Sequence, residues 1–172
     1  IVHALNLRRL AGVAPFTVMP CDNLPNNGPL TRGVVLDFAR ALDADLTNWI
    51  ADRCRFPATM VDRITPATTQ ADIDALESAH GYVDNACVMH EPFRQWVIED
   101  DFVNGDRPDW GAVGAQLVSD VEPFELMKLR CLNGTHSTLA YLGYLAGYET
   151  ISETVADPAF AKFINALWIN EI

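Results

Sequence analysis

Pro15-Phe-Thr-Val-Met-Pro-Cys-Asp-Asn-Leu-Pro-Asn-Asn-Gly28 and Phe56-Pro-Ala-Thr-Met-Val-Asp-Arg-Ile-Thr-Pro66 decide the fold. In the first, Phe16, Val18 and Met19 make a short apolar run that stops at Pro20, so Cys21-Asp22-Asn23 fall at the carboxyl end of an expected strand. In the second, Met60 and Val61 are bounded by Pro57 and Pro66, which leaves Asp62-Arg63 at another strand end. Between them, Asn26-Asn27-Gly28-Pro29 is turn chemistry, and Thr31 is a candidate cap for a helix over 33–42 that continues past Asp45 to Trp49. Strand, helix, strand in this order predicts a parallel crossover sheet, whose carboxyl edge is where open α/β sheets bind ligands.

Outward from that unit, Ile1–Val13 reads as an amphipathic helix closed by Gly12, and 71–80 as a further helix. A second extended region runs through 85–102, where Val88, Phe93, Trp96, Val97, Ile98 and Phe102 crowd around Pro92. From Glu99 to Glu125 acidic residues are opposed only by Arg107, the pattern of a solvated face. Beyond Val121 the periodicity becomes helical and strongly apolar, with Asp157 or Pro158 opening a last helix. The expected class is therefore α/β followed by all-α, with one part over 1–120 and another over 121–172.

The 172 residues are 49% hydrophobic and carry a formal charge of −11, enough for an ordinary core and far from a basic nucleic-acid surface. No run approaches the roughly 20 apolar residues of a membrane span, and Ile1–Leu10 lacks the pattern of a cleaved leader. A cytoplasmic protein with reduced thiols at Cys21, Cys54, Cys87 and Cys131 is the expectation; nothing in the sequence sets an oligomeric state. Cys87-x-x-His90 has no second ligand pair at zinc spacing, so no metal site is expected. There is also no G-x-G-x-x-G, the turn that would hold a pyrophosphate.

Chemistry is concentrated near the start of the helical part. On an ideal α-helix Glu125 lies about 60° from Lys128, His136 about 80° and Asn133 about 140°. Leu126, Leu129, Leu132 and Ala140 share that broad side, so the polar groups are expected in a largely apolar cleft. Desolvation disfavours an ammonium, which is how a lysine becomes a base near neutral pH. The bland readings are a surface lysine, a core histidine, a helix kink at Asn133-Gly134, a turn at Asn23 and a strand-end cap at Asp62.

Lys128-Leu-Arg-Cys-Leu-Asn133-Gly-Thr-His136, preceded by PFELM and followed by STLAYLGYLAG, resembles the signature of the long-chain mannitol dehydrogenase family of polyol and hexuronate oxidoreductases. The segments at 15–28, 60–66 and 91–102 resemble the same family in the same order. The likeness implies the C-terminal portion of a Rossmann-like dinucleotide-binding domain over 1–120 and the start of a helical substrate domain over 121–172. It implies metal-independent interconversion of a secondary alcohol and a ketone with NAD or NADP, on a polyol or keto-sugar acid. By resemblance Lys128 is the general acid/base, Asn133 and Asn23 donate to the reacting oxygen, and His136 holds a substrate hydroxyl. Asp62 lies near substrate and nicotinamide, Asn23 and Val61 contribute on the cofactor side, and Glu125 matches a proton-passage position. Family members are longer at both ends, so Ile1–Ile172 looks like a middle portion, expected to bind dinucleotide poorly and turn over little by itself. The competing readings are a noncatalytic scaffold or interaction module, and a metal-dependent hydrolase using His90 and His136.

Overall fold

A computed structural model describes residues 1–172, which divide into two compact units, Ile1–Ser119 and Asp120–Ile172. In the first, α1 (Val2–Leu10) turns Val2 and Leu5 inward and ends at Gly12, whose φ of +68° suits glycine. Helices α2 (Asn27–Arg40) and α3 (Ala44–Arg53) pack on it through Val35, Leu36, Ala39, Leu46 and Ile50, with Cys54 and Phe56 completing the core. Burial pushes the Cys54 thiol up to about 11, so it behaves as a small core residue and not as a nucleophile.

The expected single helix reaching Trp49 is two. It starts at Asn27, well before Thr31, because Pro29 falls in the first turn, where an N–H has no partner to lose. It stops before Asp43, whose carboxylate accepts from Asp45 N–H (2.8 Å) and Leu46 N–H (3.2 Å) and so opens a new helix.

The sheet comprises β1 (Thr59–Asp62), β2 (Gln95–Glu99) and β3 (Gln116–Val118) in that order. β1 pairs with β2 antiparallel, from Thr59 opposite Ile98 to Asp62 opposite Gln95, whereas β2 and β3 run parallel. The α/β class holds, but the pairing is mixed. The strand expected at Phe16–Met19 forms no ladder; Val18 N–H donates to Arg55 O (3.0 Å), and a strand needs a continuing partner. β3 escaped the sequence reading because three residues in an acidic loop region carry no alternation signal. Nor is that region merely solvated: Arg107 takes both oxygens of Asp100 (2.6 and 2.9 Å) and lies over Phe102, and Arg55 pairs with Asp101. Helix α4 (Gln70–His80) follows β1 and opens with a reciprocal Thr69–Asp72 capping box.

The second unit is helical: α5 (Glu122–Met127), a π-helical segment (Lys128–Gly134), α6 (Thr135–Ala146), α7 (Ile151–Ala156) and α8 (Pro158–Asn170). Gly143 lets α6 and α7 touch, since a side chain there would run into Thr154. Asp157 caps α8 at Ala159 N–H (2.7 Å) and accepts from the Tyr148 hydroxyl (2.6 Å). No helix is long and apolar enough to cross a membrane.

Two of these caps tie stability to pH. The Tyr148 hydroxyl, then Ala159 N–H, holds the Asp157 carboxyl below its ordinary 3.8; Leu46 N–H, then Asp45 N–H and Arg9, does the same for Asp43. A depressed folded-state value means the contribution is present above the unfolded value and is lost as pH falls through the folded one. Replacing Asp43 and Asp157 together by Asn is therefore expected to lower stability at neutral pH and to flatten its decline as pH falls through and below the ordinary carboxylate value of 3.8. Melting curves across that range check this; an unchanged slope contradicts it.

Candidate active site

Asn27 organises the segments that carry the candidate residues of the first unit. It is 1% exposed, although Asn-Asn-Gly-Pro reads as a surface turn. Its Nδ2 donates to Thr59 O (2.9 Å) and Asp22 O (3.1 Å), and its Oδ1 accepts from Thr59 N–H (2.9 Å). One carboxamide thus satisfies both backbone groups of a residue on the free edge of β1, as a neighbouring strand would. Thr59 answers by donating its hydroxyl to Pro20 O (2.6 Å). The loop holding Asn23 is therefore stitched to the strand that ends in Val61 and Asp62. Close approach of backbones is also required at Gly28, where a Cβ would lie 2.5 Å from Phe56 O and 2.6 Å from Ala58 N. Asn23 itself is exposed, and Val61 and Asp62 are half-buried.

In the second unit Glu125, Lys128, Asn133 and His136 follow one another along a continuous helical run. Glu125 is buried, Lys128 and Asn133 are half-buried, and His136 is exposed. The geometry differs from the ideal helix. Lys128–Gly134 is a π-helix, whose hydrogen bonds join residues five apart. Asn133 is five residues after Lys128, so it stands one turn further along on the same side, not about 140° away as α-helical spacing predicts. Two hydroxyls support the return to α-geometry: Thr138 donates to Gly134 O (2.8 Å), and Thr135 accepts from Trp168 Nε1 (2.7 Å). The largely apolar cleft expected for these groups is not formed within this unit. Leu126, Leu132 and Ala140 are exposed.

Two family models match nearly the whole chain. Residues 1–112 match the family described as "Mannitol dehydrogenase Rossmann domain", and residues 120–172 match "Mannitol dehydrogenase C-terminal domain". The chain belongs to the mannitol dehydrogenase family. It is 56% identical over 171 residues to the D-mannonate oxidoreductase of Escherichia coli, covering 99% of this chain and 35% of that protein. It is 47% identical to the mannitol 2-dehydrogenase of Aspergillus fumigatus, covering 98% and 34%. Among solved structures, the Pseudomonas fluorescens mannitol 2-dehydrogenase in ternary complex with NAD and D-mannitol superposes with a TM-score of 0.84 at 48% identity, over 99% of this chain and 35% of that one. A substrate-free D-sorbitol dehydrogenase gives 0.90 at 39%, over 96% and 34%. The chain spans about a third of the length of the curated relatives it matches.

Sequence reasoning named Asn23, Val61 and Asp62 in the first unit but missed the residues that fix their segments: Asn27, Thr59 and Gly28. The only local hint was a doubled Asn before Gly-Pro, which equally marks an ordinary turn. Asn27→Leu leaves the Thr59 backbone groups buried and unmatched, and is expected to cost about 2–4 kcal/mol. Gly28→Ala is expected to cost about 1–3 kcal/mol, because the obstructing atoms are backbone. Urea unfolding of both variants measures these losses, and values near zero would remove the anchoring role.

Proposed function

We propose that the protein to which these residues belong is an NAD- or NADP-dependent oxidoreductase. It interconverts a secondary alcohol of a sugar alcohol or sugar acid with the corresponding ketone. The observation carrying this reading is the π-turn that brings Lys128 and Asn133 to one side of a helix, directly after a buried Glu125. The kinship with mannitol, mannonate and sorbitol dehydrogenases supports the reaction class.

The first unit fits a nicotinamide. β1 ends in Val61-Asp62 beside a loop that is fixed, not free, because Asn27 ties Asp22 to Thr59. A bound nicotinamide supplies the hydride acceptor for oxidation and the donor for reduction. In oxidation Lys128 removes the hydroxyl proton from the reacting oxygen; in reduction it returns that proton. Asn133 and Asn23 donate hydrogen bonds to the oxygen while negative charge develops on it, so the step needs no metal. His136 and Asp62 hold neighbouring hydroxyls and fix which carbon reacts. Glu125, buried one α-turn before Lys128, passes the proton onward. The dinucleotide-binding role is assigned to 1–120 and the substrate-binding role to 121–172.

Lys128→Ala in the full-length protein is expected to lower kcat by about 10²- to 10⁴-fold while the melting temperature stays near that of the parent. Absorbance of the reduced nicotinamide, followed with mannitol and mannonate, reads the loss. Retention of full turnover would end the acid/base assignment.

A further inference from the structure

At the end of the sheet that carries Asp62 there is a cavity of about 390 Å³, walled by Asp62, Arg63, Arg94, Gln95, Trp96 and Gly114. Two guanidinium groups in one recess are notable in a chain of net charge −11. Arg63 is engaged by neutral groups: Nε donates to Phe93 O (3.1 Å), and the terminal nitrogens approach Pro92 O and His90 Nε2 (both 3.5 Å). No carboxylate is among those partners. It fastens the 90–93 segment to the end of β1, assisted by Ile64 N–H donating to the Glu91 carboxylate (2.8 Å) and Glu91 N–H to Ile64 O (3.1 Å). The next residue along is Arg94. Ion pairs engage Arg9, Arg40, Arg55 and Arg107 with aspartates, and Arg94 is in none of them. Its Nη2 lies 3.9 Å from where a side chain at Gly114 would begin, and a φ of +98° favours glycine there. Gln95 in turn is held by the Gln116 side chain (2.7 Å).

A recess with Asp62 on one wall and, on another, a guanidinium that no ion pair engages offers an acceptor for hydroxyls and a planar fork for an anion. A neutral sugar alcohol gives Arg94 nothing to bind. A sugar acid presents hydroxyls and a carboxylate together, and the volume falls in the range of small-molecule pockets. We propose that this cavity is a carboxylate subsite in which Arg94, positioned by the Arg63 clamp, makes the enzyme prefer sugar acids over neutral sugar alcohols. The proposal rests on the reading above that Asp62 faces the substrate.

The test uses the full-length enzyme with Arg94→Gln and Arg94→Lys. The parent is expected to show a higher kcat/KM for D-mannonate than for D-mannitol, and Arg94→Gln to lower that ratio about 10- to 100-fold. Arg94→Lys, which keeps the charge without the fork, is expected to fall between. Calorimetric titration with D-mannonate gives a readout independent of turnover, with weaker affinity expected in Arg94→Gln. An unchanged ratio, an unchanged mannonate affinity, or an effect confined to the KM of the nicotinamide overturns the subsite. Absence of hydride transfer to either cofactor in the parent defeats the enzymatic reading instead, and the titration still decides the anion site.

Discussion

A single buried carboxamide ties the first unit together. Asn27 stands where α2 begins and completes the hydrogen bonding of Thr59 on the outer edge of β1. An edge strand normally leaves such groups to solvent or to another chain. Here they are matched from within, by a residue whose helix also packs on the core. That links three things otherwise independent: the start of α2, the path of the loop from Pro20 to Asn26, and the strand that ends at Asp62. The absence of a side chain at Gly28 is part of the same constraint, for the backbones could not otherwise come so close.

The second unit reaches its precision by another route. Its chemistry is strung along one helical run, so spacing is set by hydrogen-bond period and not by loops. An α-helix places residues five apart on largely different sides; a π-helix places them a turn apart. Lys128 and Asn133, the amine and carboxamide proposed to act on one oxygen, are five apart, and the segment between them is the one that departs from α-geometry.

How much of this was legible follows from the range of the interactions. Asp157 opening α8, the helix over 71–80 and the β1 run between Pro57 and Pro66 are local, and their residues declare them. The Lys128–His136 array was visible through its resemblance, which required no geometry. Asn27 was not visible, because its partners are 32 residues away and burial is a property of the assembled unit. The π-helix was equally hidden, since Leu-Arg-Cys-Leu between Lys128 and Asn133 suits an α-helix. The extended run at Phe16–Met19 shows the converse: β-propensity was read correctly, yet a strand is a relation between two segments.

The widened turn also changes which mutations the helix can absorb. A π-helix carries more residues per turn than the α-helices flanking it, so the mutual bearing of Lys128 and Asn133 is written in chain length as much as in residue identity. Losing one residue between them lets the ladder relax to the commoner period and swings the carboxamide away, although every functional side chain is still present. Surface loops tolerate gains and losses of that size, whereas here a side chain can be exchanged more safely than the chain can be shortened.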